Sequence, residues 1–283
     1  MPAKFFALSG FTLTLALATL TPEASAAIIT FDGVDGYSTT GGTALNGELR
    51  GQSLTAATKW AGPNQVDARI NIVQDSAPGE NAAQTQPGIV GFNFTQYTFA
   101  PSATDLGGTL NANASIVNYS INLRFDDPDF TGATNNDFIA VQRVRFGSEN
   151  VARFQLFSGG RFSYHVGSTV ERQASTTLGG TTRFVGTEDV YFNVAGQFNY
   201  ATKTYTLSVN GVPQTTADGG TDVNIPFFDV AASTADVRLF NLNSETTNWR
   251  RVSVDDLTIA IPEPTTALSL GLIGAFTLLK RRR

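Results

Sequence analysis

The chain has 283 residues, no cysteine and a formal net charge of -5 at pH 7. Without cysteine it can form no disulfide, zinc–thiolate site, iron–sulfur cluster or cysteine nucleophile. The acidic balance argues against nucleic acid as a partner, because binding to phosphates needs basic surface that displaces counterions.

The first 26 residues predict a removable signal peptide. Lys4 supplies a positive charge, residues 5–20 are mainly apolar, and Ala24 and Ala26 form the small-residue pair of an Ala-x-Ala cleavage site. We therefore expect export, with the secretion machinery and signal peptidase as the first partners and cleavage after Ala26.

Residues 27–260 predict one all-β domain, a β-sandwich of jelly-roll type. Most segments alternate apolar and polar residues with a period of two, and Gly, Asn and Asp separate them. Residues 74–87 are expected to form a polar loop. The predicted strands are residues 28–32, 66–73, 89–99, 115–125, 138–146, 151–157, 161–166, 184–194, 204–209, 237–242 and 252–259.

Two parts of this domain have the most specific patterns. In residues 115–125, Val117, Tyr119, Ile121, Leu123 and Phe125 all fall on one face of a strand. In residues 204–211, Tyr205, Leu207 and Val209 point inward, and Asn210-Gly211 predicts a tight hairpin because both residues tolerate positive φ.

Residues 190–212, with F-N-Y at 198–200 followed by Y-x-L-x-V-N-G at 205–211, resemble the concanavalin A-like lectin/glucanase and laminin-G jelly rolls. Residues 254–259 resemble the last strand of the same domains. The resemblance implies that the hairpin packs over a curved sheet, and that loops can hold calcium beside a carbohydrate or protein site.

The residues that could perform catalysis are sparse. Jelly-roll glucanases carry a Glu-x-Asp-x-x-Glu strand, which this chain lacks; Glu188-Asp189 is the nearest acidic pair, and its two side chains would lie on opposite strand faces. His165 is the sole histidine, and no Gly-x-Ser-x-Gly elbow is present. We predict that the protein is not an enzyme and that His165 lies on the surface of its strand.

Asp126, Asp127 and Asp129 follow the strongest predicted strand and are candidate calcium ligands, because calcium prefers several oxygens gathered in one loop. The alternative is that Asp-Pro-Asp simply makes a turn. Sugar-binding platforms need exposed aromatic rings. We expect the four candidate rings to lie in the core instead: Trp60, Tyr97, Tyr164 and Trp249.

Residues 261–283 combine three features in order. Pro262, Glu263 and Pro264 interrupt regular structure, residues 265–279 are largely apolar, and the chain ends in Lys280, Arg281, Arg282 and Arg283. This order resembles the PEP-CTERM sorting tail of biofilm-forming bacteria. Residues 267–279 would reach only about 20 Å as a helix, so a buried core helix is the alternative by length.

The resemblance to PEP-CTERM tails implies processing by an exosortase-type membrane protease. It also implies transient anchoring of a single hydrophobic helix in the inner membrane, with the basic end on the cytoplasmic side. Release to the cell surface or extracellular matrix would follow.

Together these features predict an exported, non-enzymatic binding module for exopolysaccharide or a surface partner. The alternatives are a glycan-active hydrolase on the same fold and a purely structural matrix protein.

Overall fold

The computed structural model of the protein describes residues 26–29, 70–74, 81–85, 93–99, 115–126, 138–146, 149–228, 235–243 and 252–262. These residues form two antiparallel β-sheets. The strands are β1 (Ala26–Ile29), β2 (Ile70–Gln74), β3 (Asn81–Thr85), β4 (Asn93–Phe99), β5 (Ile116–Phe125), β6 (Phe138–Phe146), β7 (Glu149–Phe157), β8 (Phe162–Val166), β9 (Val170–Gln173), β10 (Phe192–Asn199), β11 (Thr204–Val209), β12 (Val212–Pro213), β13 (Ile225–Pro226), β14 (Ala235–Asn243) and β15 (Val252–Ala260).

The nine-stranded sheet has the order β12-β11-β10-β5-β15-β3-β2, with β1 also paired to β15 and β13 to β11. The six-stranded sheet has the order β4-β14-β6-β7-β8-β9. Among the described strands, neighbours in the chain pair only in β6–β7–β8–β9, in β10–β11–β12 and in the β2–β3 hairpin. The remaining pairs join distant segments, so most of the topology depends on long-range contacts.

The two sheets face each other across a core of aromatic rings. Phe154 of the six-stranded sheet lies 5.9 Å from Tyr119 and 6.4 Å from Tyr205, both in the nine-stranded sheet, measured between ring centroids. Phe162 and Phe192 meet across the same space at 5.7 Å. The alternating buried residues of both sheets therefore form one core, and the predicted all-β sandwich is confirmed at that level.

The predicted alternation of β5 is confirmed. The five apolar residues at alternate positions from Val117 to Phe125 are all buried, whereas the other residues of the strand, including the exposed Ile116, are exposed or half-buried. The hairpin at Asn210-Gly211 is confirmed as well. Asn210 has φ 48° and Gly211 has φ 77°, as a two-residue primed turn requires. The Asn210 side chain also accepts a 2.9 Å hydrogen bond from the Asn193 backbone N–H, which fastens the turn to β10.

Several predicted boundaries were wrong. The expected polar loop at residues 74–87 contains β3, in which Ala82 and Ala83 are fully buried. Alanine is too weakly apolar to mark a buried strand by pattern. The predicted strand at residues 184–194 becomes regular only at Phe192, because Asp189 adopts φ 54° and earlier residues make isolated bridges. Strands β9, β12 and β13 were missed.

Most residues of the predicted targeting ends lie outside the described part of the chain. Ala24, Glu263, Pro264 and the basic end are among them, so the signal peptide, the sorting tail and the domain limits stay predictions. Ala26 lies in β1 opposite Ala260 of β15. Within the described segments, no helix is both long and apolar enough to pass through a bilayer.

A salt-bridge cluster ties the loop after β12 to the edge of the six-stranded sheet. Asp218 accepts hydrogen bonds from Arg183 Nη1 at 3.0 Å and Nη2 at 2.7 Å, and Arg172 Nη1 lies 3.1 Å from its Oδ1. Tyr164 donates its hydroxyl to the Thr215 carbonyl at 2.7 Å, in the same loop.

We predict that Asp218→Asn weakens this attachment in a pH-dependent way. The Arg183 hydrogen bond lowers the pKa of Asp218. The native contribution is therefore complete above the unfolded carboxyl pKa of about 3.9 and is lost as the pH falls through the lower folded pKa. Because Asp218 is largely exposed, the variant should cost at most about 1 kcal/mol at neutral pH. Melting curves of both proteins from neutral to acidic pH should converge in acid; a gap that stays constant would contradict the assignment.

Candidate functional site

The outer face of the six-stranded sheet carries polar side chains that are buried. On β7 and β8, Phe154 and Tyr164 point into the core. The residues immediately before and after each of them therefore face the other side of the sheet. There Gln155 is 2% exposed, Ser163 1% and His165 8%. We call Arg153, Gln155, Ser163, His165 and Glu171 the outer cluster.

Sheet register brings the outer cluster together. Gln155 lies opposite Ser163 across β7 and β8, and His165 lies opposite Glu171 across β8 and β9. Directly opposite residues of an antiparallel pair share a face and lie within side-chain reach. The three strands therefore set these groups side by side on a rigid support.

Gln155 is the centre of the hydrogen-bond network. Its amide orientation is assigned from its neighbours: with the oxygen accepting from Arg153 Nη2 at 3.0 Å, the nitrogen donates to Glu171 Oε2 at 3.0 Å and to His165 Nε2 at 2.9 Å. In this arrangement His165 Nε2 is an acceptor, so the ring proton of the neutral imidazole is on Nδ1. Arg153, Gln155, His165 and Glu171 thus form one connected hydrogen-bond network.

The prediction that His165 lies on the surface was wrong. Phe228 packs edge-on against the imidazole with ring centroids 5.1 Å apart, and its backbone N–H donates to the Val151 carbonyl at 2.8 Å. The segment that follows β13 thus brings a ring onto the outer face of the sheet. Strand alternation alone could not reveal this, because the cover comes from about 60 residues further along the chain.

The outer cluster contains one arginine and one carboxylate, and a second arginine, Arg161, lies beside it. Burial lowers the pKa of Arg153, and the nearby Glu171 carboxylate opposes that shift. Glu171 also lies 3.6 Å from Arg161 Nη2, measured to its Oε1. The Glu171 carboxylate therefore interacts electrostatically with two guanidinium groups, those of Arg153 and Arg161.

Arg153 and Ser163 each carry a donor with no hydrogen-bond partner within the described part of the protein. The Ser163 hydroxyl oxygen and Arg153 Nε are both buried. Buried polar atoms are nearly always paired, and leaving one unpaired costs about 1–3 kcal/mol. Each of these two groups keeps the capacity to donate a hydrogen bond to an acceptor small enough to reach a buried atom.

The predicted calcium residues are only partly described. Asp126 accepts hydrogen bonds from Arg124 Nε and from the Ser253 hydroxyl, each at 2.5 Å, so both of its oxygens already have protein partners. Asp127 and Asp129 lie outside the described residues. Among the residues that are described, no three His, Asp or Glu side chains are grouped as a metal site would need. Calcium binding stays a prediction.

The other sequence candidates are dispersed. Tyr164 is 3% exposed and belongs to the core, as expected. Asp189 sits in a left-handed turn and donates its backbone N–H to the Phe125 carbonyl at 2.9 Å, so Glu188-Asp189 is not part of a regular strand. Trp60 and Trp249 lie outside the described residues.

No protein-family model and no curated protein matches this sequence. Among solved structures, the cellulose induced protein Cip1 is similar with a TM-score of 0.46 and 13% identity, covering 73% of this chain and 94% of that chain. The binding domain of Paraclostridial Mosquitocidal Protein 1 has a TM-score of 0.44 and 12% identity over 79% and 48% of the two chains. The alginate lyase AlgAT5 from Polysaccharide Lyase family 7 has a TM-score of 0.40 and 9% identity over 71% and 81%.

These similar structures include both an enzyme and a binding domain. With TM-scores below 0.5 they carry no argument about activity. The assignment of this chain to the antiparallel β-sandwiches rests on its own two sheets and their common core.

Proposed function

We propose that this protein is a non-enzymatic polysaccharide-binding module on a concanavalin A-like jelly roll, with the outer cluster as its ligand site. The observation that carries the proposal is the buried Ser163 hydroxyl, which has no hydrogen-bond partner in the described residues although it lies beside Gln155 and His165. Polysaccharides present a dense array of hydroxyl oxygens that can accept such a hydrogen bond, and because Ser163 is only 1% exposed, binding would require the cover of this face to move aside.

The rigidity of the outer cluster supports binding. Gln155 is held by Arg153, Glu171 and His165 before any ligand arrives. All five members lie on paired strands, so little side-chain entropy remains to be lost on association. A few fixed polar groups beside an aromatic ring are typical of small-ligand and sugar sites.

The outer cluster favours binding over hydrolysis. Glycosidases use two carboxyl groups on either side of the scissile bond, whereas the hydrogen-bonded cluster contains the single carboxylate of Glu171. To distinguish binding from hydrolysis, the full-length protein is incubated with each polysaccharide of a panel, and new reducing ends are measured. Turnover abolished by Glu171→Gln would establish the hydrolase instead.

Delivery to the cell surface or matrix is part of the same proposal. It rests on the predicted signal peptide, the Pro262-Glu263-Pro264 motif and the basic end. Fractionation of cells that produce the full-length chain should recover a shortened form outside the inner membrane. A product that keeps Lys280 to Arg283 at the surface would contradict exosortase-type processing.

The main test of binding is Ser163→Ala. Removing a buried hydroxyl that lacks a partner should leave stability unchanged or raise it by about 1 kcal/mol, because an unpaired polar group is no longer buried. Affinity electrophoresis in gels that each contain one polysaccharide of a panel identifies the polymers that retard the wild-type protein. The same change should weaken binding to these polymers several-fold. Unfolding curves and binding titrations on the same samples provide both readings.

Ser175→Ala is the matched control, since the Ser175 hydroxyl donates to the Thr177 carbonyl at 2.8 Å and is also buried. This control should lose about 1 kcal/mol of stability and keep its affinity. If Ser163→Ala is destabilised as much as the control and binds normally, the outer cluster is structural. If wild type binds no polysaccharide of the panel, the proposed function fails and a structural matrix protein remains.

A further inference from the structure

The first and last described strands of the sandwich form one antiparallel pair. Strand β1 lies in register with the end of β15, so that Ala26 is opposite Ala260 and Ile29 is opposite Leu257. Because the strands are antiparallel, the N-terminal end of β1 and the C-terminal end of β15 lie side by side. The predicted signal peptide and the predicted sorting tail therefore join the domain at the same place.

The predicted signal-peptidase bond, between Ala26 and Ala27, lies within this strand pair. Ala27 is opposite Ile259, so the residues on both sides of the bond belong to the ladder between β1 and β15. A protease must hold the bond that it cleaves in its own active site, so a strand that is paired in a sheet has to be released first. In the folded domain the bond is therefore protected until β1 opens.

Opening β1 removes a side chain from the core. Ile29 is fully buried, and so is Leu257 directly opposite it. Both residues belong to the core that the two sheets share. Release of β1 would expose Ile29 to water and leave an empty space beside Leu257, so the open form should be a rare state of the folded protein. Cleavage that depends on a rare open form is slowed in proportion to its population.

Export delivers these two strands at different times. The chain passes through the secretion machinery from its N-terminal end, so β1 emerges early, whereas β15 is the last of the described strands. Strand β1 cannot pair with β15 until the rest of the domain has been exported. During this interval the bond between Ala26 and Ala27 is outside the ladder and accessible to signal peptidase.

We infer that signal-peptide removal is coupled to folding: the bond between Ala26 and Ala27 is hydrolysed before β15 pairs with β1, and a chain that folds first retains its signal peptide. This inference rests on the export part of the proposed function and adds the order of two steps. Hydrolysis adds water across the amide, leaving a carboxylate on Ala26 and an amino group on Ala27. A chain that folded too early would keep both predicted membrane segments at the same end of the domain.

The test compares two samples of the full-length precursor, produced without export and kept in detergent micelles. One sample is refolded before purified bacterial signal peptidase is added, and the other is diluted from urea directly into the enzyme. We expect the refolded sample to be cleaved at least about tenfold more slowly, and the mass of the product to place the cut after Ala26. Circular dichroism verifies the fold of the first sample, and a synthetic peptide of residues 15–32 reports enzyme activity in each buffer.

Ile29→Ala should speed cleavage of the refolded precursor at least about tenfold, because it weakens the contact that holds β1 in place. Leu207→Ala is the matched control: Leu207 is 2% exposed on β11, and β10 and β5 separate that strand from β15. This control should speed cleavage much less, although it also removes a buried side chain. Both variants should be cleaved at the wild-type rate when they are diluted from urea. If Ile29→Ala does not refold, the two wild-type samples still decide.

Equal cleavage of the refolded and unfolded wild-type precursor would overturn this inference and leave the proposed function intact. Equal acceleration by Ile29→Ala and Leu207→Ala would also overturn it, because the β1–β15 pair would then give no protection of its own. If neither the precursor nor the peptide is cleaved, the predicted signal peptide is wrong, and the inference fails together with the export part of the proposed function. Polysaccharide binding is measured separately and does not depend on these results.

Discussion

Replacing Phe154 by alanine is expected to lower the free energy of unfolding by about 3–5 kcal/mol. Phe154 is fully buried and meets rings from both sheets, with Phe162 at 5.8 Å in its own sheet and Tyr119 at 5.9 Å in the other. Removing it leaves a cavity where the sheets are joined, and rigid strands on both sides limit collapse. The melting temperature should fall by roughly 10 °C.

Denaturant unfolding of the full-length protein measures this effect. Leu178→Ala is the control, because Leu178 is a large apolar residue that is 52% exposed, and its loss should change stability by less than about 0.5 kcal/mol. If Phe154→Ala costs no more than the control, the two sheets do not share the core described above.

Replacing Gly196 by alanine is expected to cost about 3 kcal/mol. Gly196 lies in β10 between Leu207 of β11 and Tyr119 of β5. A methyl group there would stand 2.1 Å from the Thr206 carbonyl oxygen, which is backbone and cannot turn aside as a flexible side chain can. The strands must move apart locally, and overpacking of this kind typically costs 1–3 kcal/mol or more.

Gly219→Ala separates this clash from the general cost of losing a glycine. Gly219 has φ 73°, but nothing lies within 4 Å of an added methyl group, so only backbone strain of about 1 kcal/mol applies. Thermal and denaturant unfolding of both variants should rank Gly196→Ala well below Gly219→Ala. Equal losses would mean that β10 and β11 are less closely paired than their register indicates.

The sequence alone was sufficient for the local features with strong physical signals. Alternation identified β5 because five large apolar residues, one at every second position, face the same way. Asn210-Gly211 identified a hairpin because few other residue pairs adopt positive φ at low cost. The many such strands, without a long amphipathic helix, indicated a sandwich. Strand β3 was not predicted, because its buried residues are alanines.

The outer cluster could not be predicted from the local sequence pattern. Polar residues at 153, 155, 163 and 165 alternate with core residues, and that pattern correctly places them opposite the core. The pattern does not show that β8 pairs with β9, so it does not predict that Glu171 lies opposite His165. Nor does it reveal that Phe228 covers this face, which is why His165 was predicted at the surface.

The sequence by itself thus determined which residues face the core, where the tight hairpin turns, and that the chain forms an all-β sandwich. Those properties depend on side-chain size, polarity and backbone preference within a few residues. Only the tertiary structure decided which polar residues stand together and which of them are buried. His165 and Phe228 are about 60 residues apart in the chain, and only the path of the segment after β13 brings the Phe228 ring against the imidazole.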